Sequence, residues 1–165
     1  MATGRNTQLT RQIGEHLVVA KLGRMGYIAT PFAGNVPNFD LLIANNDGSS
    51  MPIQVKAING PAWQFDIGTF LLIEMDGDNQ VVKGKRKLVN PDLICIFVLL
   101  SPDENDQYFI LQMKDLQNYF SKTYKSRHRP KNPTSMHCAI WPKDINKYKD
   151  NWGIIKEAFE NKIYK

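Results

Sequence analysis

A chain of 165 residues, 42% hydrophobic and 22% charged, has the composition of an ordinary globular domain able to bury a sizeable core. No apolar stretch approaches a membrane span and no signal-peptide core opens the chain, so a cytoplasmic protein with no membrane partner is expected. The net charge of +5 and pI of about 9.2 permit a polyanionic partner without requiring one, and Cys95 and Cys138 have neither metal-ligand nor disulfide-framework spacing. Cys95 lies inside an apolar run and reads as a buried thiol of a reducing compartment.

Residues 1–7 are polar and expected to be loose. From Gln8 to about Met25 the spacing predicts a helix, with Leu9, Ile13, Leu17 and Ala20 on one face and Val18, Val19 and Leu22 widening it. Glu15 stands three, four and seven residues before those last three, which makes it an inward-leaning carboxylate in need of a partner. Gly26 is expected to end the helix. Tyr27–Thr30 reads as a short strand, followed by a loop from Pro31 to Pro37.

Asp40 then opens the apolar run Leu41-Leu42-Ile43-Ala44, and Asn45–Ser50, with its Asp47-Gly48 pair, predicts a hairpin into Pro52-Ile53-Gln54-Val55-Lys56-Ala57. Strand alternation sends Ile53 and Val55 to one face and Gln54 and Lys56 to the other. Trp63, Phe65 and Ile67 alternate with polar residues, and Thr69–Met75 continues as strand; Trp63 and Trp152 read as core. Leu93–Leu100 predicts a strand buried on both faces. Tyr108–Met113 is a further strand, Asp115 a candidate cap for a helix to about Tyr124, and Met136–Trp141 a last strand. Ile145, Tyr148, Trp152, Ile155 and Phe159 form the seam of a final helix. No repeat, low-complexity tract or linker interrupts the chain, so residues 1–165 are expected to form one α/β domain, ordered helix, mixed sheet, helix.

The polar cluster on the central hairpin suits metal-assisted phosphodiester hydrolysis, which needs an activated water, neutralised phosphate oxygens and help for the leaving group. Magnesium takes hard oxygen ligands and keeps several waters, so one or two carboxylates can suffice. Asp40 is the main candidate ligand, with the Gln54 amide oxygen, the Val55 backbone carbonyl and Glu15 as further donors. Lys56 is placed to orient the attacking water or to stabilise charge developing at phosphorus.

Glu15 on the first helix, Pro37-x-x-Asp40 and Gln54-x-Lys56 resemble the PD-(D/E)XK nuclease superfamily, and the Gln-x-Lys form resembles the nuclease-fold group I intron homing endonucleases. The string from Gly14-Glu15 through Gly26-Tyr27 to Phe39-Asp40 and Gln54-Val55-Lys56 is also similar to archaeal Holliday junction resolvases. The resemblance spans about residues 8–58. It implies a restriction-endonuclease-like core with a central mixed sheet flanked by helices, dependence on Mg2+ (with Mn2+ as substitute), and cleavage of DNA. Glu15, Asp40, Gln54 and Lys56 would be the catalytic set. The chain departs from the pattern in two ways. Asn38 and Phe39 separate Pro37 from Asp40, and Gln54 replaces the usual acid, which removes a negative charge and weakens metal binding unless Glu15 compensates.

Competing readings accompany each residue. Glu15 in a structural salt bridge with Lys56, Asp40 as a strand-end cap, and Gln54 and Lys56 as a solvated strand face are the bland alternatives. A second loose match, Asp92 with Gln112-x-Lys114, has no carboxylate-bearing helix before it, and its lysine stands at a helix entry. Two basic stretches, Lys83, Lys85, Arg86 and Lys87 and then Lys122, Lys125, Arg127 and Arg129, read equally as solvated loops or as contacts to the DNA backbone. Tyr124 reads more readily as core than as a base-stacking ring. Three functional classes follow: a DNA endonuclease, a nuclease-fold DNA-binding module without catalysis, and a protein-interaction domain. Cutting both strands of a duplex favours a homodimer.

Overall fold

The computed structural model describes residues 4–32 and 39–161, so Pro37 lies outside the described residues. They divide into two compact units, one of Met1–Trp63, Leu93–Leu111 and Trp141–Lys165, the other of Gln64–Asp92 and Gln112–Ile140. Among the described residues, no helix is long and apolar enough to cross a membrane.

The first unit is built on a mixed five-stranded sheet flanked by helices. Helix α1 (Gly4–Arg24) leads to β1 (Ile28–Pro31), β2 (Leu41–Ala44) and β3 (Ser50–Ile58); β7 (Ile94–Leu99) and β8 (Gln107–Gln112) complete the spatial order β1-β2-β3-β7-β8. The pairs β1–β2 and β2–β3 are antiparallel, whereas β3–β7 is parallel. The Asp-Gly turn forms as its residues dictate. Gly48 takes φ +86°, its N–H bonds to the Asn45 carbonyl at 3.2 Å, and Asp47 Oδ1 accepts from the Ser49 N–H at 2.8 Å. Strand β7 is buried over Ile94–Val98, as a strand covered on both faces must be.

Helix α1 begins at Gly4, so the segment expected to be loose is partly helical. It closes at Gly26, whose φ of +90° lets its N–H reach the Gly23 carbonyl while the Tyr27 N–H reaches that of Leu22. Its buried face is the expected one only in part: Val18 and Leu22 are buried and Leu17 and Val19 pack against the core, as expected. Leu9 and Ile13 are each 48% exposed and Ala20 is exposed, while Thr10, Gly14, Val18 and Leu22 face inward. The cause is Gly14. A Cβ there would stand 2.3 Å from the Ala57 Cβ, so the helix backbone lies directly against β3. Closest approach is centred on the smallest residue, which rotates the larger side chains of Leu9 and Ile13 outward. Val18 and Leu22 then reach the core formed by Leu41, Ile43, Ile53, Ile94, Ile96 and Val98. Each such fully buried side chain contributes about 1.5–3 kcal/mol.

The expected final helix is two pieces. A 3-10 segment spans Pro142–Tyr148, and α3 (Gly153–Glu160) begins only after Asp150, at φ +52°. The apolar spacing is real, since Ile145 and Ile155 are both buried, but it crosses the break. Tyr27 stacks on Phe159 at 5.5 Å, which ties the end of α3 to the start of β1.

The second unit holds β4 (Trp63–Asp66), β5 (Leu71–Asp76), β6 (Asn79–Lys85), α2 (Met113–Thr123), β9 (Arg127–His128) and β10 (His137–Ile140). The strand expected from Trp63 onward turns into a short 3-10 segment at Ile67–Thr69, capped by the Asp66 carboxylate on the Gly68 N–H. Strands β5, β6 and β9 form one sheet, and β4 pairs with β10. Phe65, Phe70 and Phe120 pack ring to ring under α2, with Phe70 and Phe120 centroids 4.9 Å apart. The buried Gln117 is satisfied by the Phe70 and Arg86 carbonyls at 2.9 and 2.6 Å. Asp115 stands inside α2, not at its cap; its carboxylate accepts from the Gln112 N–H at 2.9 Å. Cys138 is half-buried, and that burial, with Asp66 adding to it, pushes its thiol up to about 12. Cys95 is fully buried, as its apolar run requires.

Candidate functional site: two carboxylates sharing one guanidinium

The site is assembled where α1, the residue preceding β2, and the middle of β3 meet. Asp40 is fixed twice by backbone. Its own N–H donates to the Ile53 carbonyl at 2.9 Å, and its Oδ2 accepts from the Val55 N–H at 2.8 Å. Both bonds follow from the hairpin register, in which Leu41 faces Ile53. Asp40 is thus more than a strand-end cap. Its carboxylate is aimed at the strand that carries Gln54 and Lys56.

Glu15 arrives from α1. Arg11, one helical turn earlier, donates from Nε to Glu15 Oε1 at 2.8 Å and from Nη2 to Asp40 Oδ1 at 3.0 Å. One cation therefore joins two carboxylates that come from segments far apart in the chain. The carboxylate side chains are 14% and 13% exposed, against 52% for Arg11. The hydrogen bond that Arg11 donates to Glu15, followed by the charge of Asp40, raises the Arg11 guanidinium above its ordinary value against the opposing effect of burial. Arg11 did not stand out in the sequence. Its signal was the four-residue spacing to Glu15, which puts a cation and a carboxylate on the same helix face.

On β3 the burial alternates as expected: Ile53 and Val55 are buried, Gln54 and Lys56 partly so. Helix α1 covers the Val55 and Ala57 side, since the Cβ position of Gly14 meets both of those side chains. Gln54 and Lys56 thus share the opposite face, where their register partners on β7 are Cys95 and Phe97. The Cys95 thiol points at Gln54 Oε1 across a long 3.8 Å contact. Trp63, fully buried against Phe97 and Phe109, donates from Nε1 to the Lys56 carbonyl at 2.9 Å. It therefore fixes the backbone of Lys56 besides filling the core. The contact from Val55 to Asp40 is made by its N–H, which donates to Asp40 Oδ2.

Among the described residues, no cluster of three or more His, Cys, Asp or Glu is suited to a metal ion. The site holds two carboxylates, Asp40 and Glu15. Those two carboxylates nevertheless hold a cation between hard oxygens, as the Arg11 guanidinium demonstrates.

The second Asp…Gln-x-Lys match also converges. Lys114 Nζ pairs with Asp92 Oδ1 at 2.6 Å, and Gln112 donates to the Asp92 carbonyl at 3.4 Å. Its role is to start a helix, for Lys114 is already inside α2 and the Gln112 N–H is capped by Asp115.

Both basic stretches lie in the second unit, where β9 pairs with β6 and so brings the second stretch beside the strand that leads into the first. Lys83, Lys85, Arg86, Lys87, Lys122, Lys125 and Arg127 are exposed, and Arg129 is half-buried. Several are held by neighbours. Lys83 pairs with Glu74, Lys85 donates to Asn118, and Arg129 donates to the Ser135 carbonyl. Arg127 lies 4.1 Å over the Tyr124 ring and donates to its hydroxyl. Tyr124 itself is buried and donates to the fully buried Gln80, which makes it core.

The fold is similar to that of a bacterial homing endonuclease. The solved structure of that enzyme, I-Ssp6803I, aligns over 96% of this chain and 99% of its own, with a TM-score of 0.54 and 14% identity. No family model matches the chain, and no curated protein does. At that identity the likeness establishes the fold: a mixed α/β arrangement with a central mixed sheet flanked by helices.

Proposed function

We propose that this protein is a DNA endonuclease of the PD-(D/E)XK kind, hydrolysing phosphodiester bonds with Mg2+, for which Mn2+ substitutes. The observation that carries the reading is the convergence of Asp40 and Glu15 on one shared cation beside the strand bearing Gln54 and Lys56. It occurs in a fold similar to that of a homing endonuclease.

The two carboxylates suit a hard divalent ion, with the Gln54 amide oxygen and the Val55 carbonyl proposed as further donors. When bound, that ion supplies charge neutralisation at phosphate and activation of the attacking water. The chain's own residues do the rest. Asp40, locked by the Val55 N–H, fixes the position of the ligand set, and Glu15 completes it from the helix. Lys56, with its backbone held by Trp63, orients the water or meets the charge that develops at phosphorus. Lys83, Lys85, Arg86, Lys87, Lys122, Lys125, Arg127 and Arg129 supply backbone-phosphate contacts, which position DNA without reading its sequence.

The test is nicking of supercoiled plasmid in Mg2+ or Mn2+ by wild type and by Lys56→Ala. Wild type is expected to cut, and the variant to lose at least about a hundredfold in rate while binding persists. Equal cutting by both would remove Lys56 from the chemistry. A second reading, a DNA-binding module without catalysis, draws on the neutral Gln54. It predicts salt-dependent duplex binding with no cutting in either metal.

A duplex presents two strands to a single site, so a homodimer is the proposed acting species. Sedimentation at assay concentration is expected to show it. Monomer alone, in a preparation that cuts both strands together, would rule it out.

A further inference from the structure

Arg11 is an unusual resident for a site meant to receive a divalent cation, because it already pairs with both acids. The two carboxylates are the fixed part of the arrangement. Asp40 is held by Ile53 and Val55 through backbone bonds, and Glu15 follows Gly14, the residue whose backbone lies against Ala57. The guanidinium is the movable part, half exposed at the end of a flexible stem. It uses Asp40 Oδ1 and Glu15 Oε1, one oxygen of each carboxylate. A divalent ion drawing on those same oxygens would compete with Arg11 for their lone pairs and repel its charge. The two cations are therefore mutually exclusive tenants, and their binding is negatively linked.

From this geometry we infer that Arg11 is a displaceable counter-cation: it holds the two carboxylates in place while no metal is bound, yields them to the divalent ion, and then turns to a backbone phosphate of DNA. The inference rests on the reading of Asp40 and Glu15 as the metal-holding pair. After displacement the guanidinium is still tethered one helical turn from Glu15, at the rim of the site. Its five donors in a planar fork suit a phosphate better than solvent. Arg11 so placed is a positioning residue. It sets metal affinity and links metal occupancy to the grip on DNA, and takes no part in bond cleavage.

The experiment compares wild type and Arg11→Met in DNA-free titrations with Mn2+, followed by paramagnetic resonance or calorimetry. With the competing cation gone, the variant is expected to bind Mn2+ about five- to tenfold more tightly, the size of effect from losing two ion pairs of this exposure. Binding to a plasmid-derived duplex is then measured against salt. In Ca2+ the variant's salt slope should be smaller than that of wild type by about one; in EDTA the two slopes should coincide. Unchanged or weaker Mn2+ binding by the variant overturns the inference and leaves the metal-site reading standing, as does a slope difference that is equal in EDTA. Absence of saturable Mn2+ binding by wild type overturns both. A readout on wild type needs no variant. The Arg11 Nε–H resonance should move when diamagnetic Mg2+ is added, and a resonance unmoved at saturation overturns the inference.

Discussion

Replacing Asp40 by Asn should lower plasmid cleavage at least about a hundred- to a thousandfold, the range for removing one charge-stabilising group from a catalytic site, and leave duplex binding equal or slightly tighter. The sign of the binding change follows from charge, since one negative group near the phosphates has been removed. Asp40→Ala should cost the same in cleavage and more in stability. The Ala variant strips the acceptor from the Val55 N–H, a part-buried donor whose loss of partner costs about 1–3 kcal/mol. The Asn variant keeps a carbonyl oxygen there. Nicking, mobility shift at fixed salt and thermal unfolding of both variants separate the two effects. Substantial cleavage by Asp40→Asn would exclude a requirement for the Asp40 charge. Equal unfolding temperatures for Asn and Ala would mean that the bond to Val55 contributes little.

Gly14→Ala should destabilise the protein by about 1–3 kcal/mol, the usual cost of forcing a methyl into a packed contact. The new Cβ meets another Cβ at 2.3 Å, and neither belongs to a flexible side chain, so the helix itself must move off β3. The sign is diagnostic because Gly to Ala within a helix ordinarily stabilises. Gly23 in the same helix has nothing within 4 Å of its Cβ position, and Gly23→Ala should add about 0.5–1 kcal/mol. Lifting α1 also carries Glu15 away from Asp40. A displacement of an ångström at a reacting centre can cost about a hundredfold in rate, so cleavage should fall as well. Adding Ala57→Gly to Gly14→Ala should recover part of both losses. Urea unfolding of the two single variants and the pair gives the cycle. Gly14→Ala behaving like Gly23→Ala would refute the close approach.

The central hairpin was legible because local signals agreed: an Asp-Gly turn, two apolar runs and an alternation that separates Ile53 and Val55 from Gln54 and Lys56. Strand β7 was legible for a similar reason, since the eight successive apolar residues of Leu93–Leu100 fit little else. What escaped was set by neighbours. The inward face of α1 was found only in part by counting apolar side chains: Val18 and Leu22 were placed inside, but the residue that turns Leu9 and Ile13 outward, Gly14, has no side chain to count. The final helix was misread because the spacing of Ile145, Tyr148, Trp152, Ile155 and Phe159 survives a break at Asp150 that no hydrophobic pattern encodes. In the site, Glu15 and Asp40 were identifiable as acids in suggestive places. Arg11 was not, for its second partner lies 29 residues along the chain and meets it only once α1 has docked. The same holds for Trp63, whose bond to the Lys56 carbonyl depends on the chain returning after β3.

The parallel pairing of β3 with β7 also has a consequence for how the molecule comes to be made. The hairpin carrying Asp40, Gln54 and Lys56 can close as soon as Ile58 has been synthesised, but the other edge of β3 gains its neighbour only when Ile94–Leu99 follows. Until then the backbone from Ile53 to Ile58 is an open edge in a hydrophobic strand, the kind of surface on which nascent chains pair with one another. Everything between, including β4, β5 and β6, must be spanned before that edge is covered, so this chain should gain its solubility late in synthesis, with the arrival of residues 94–99.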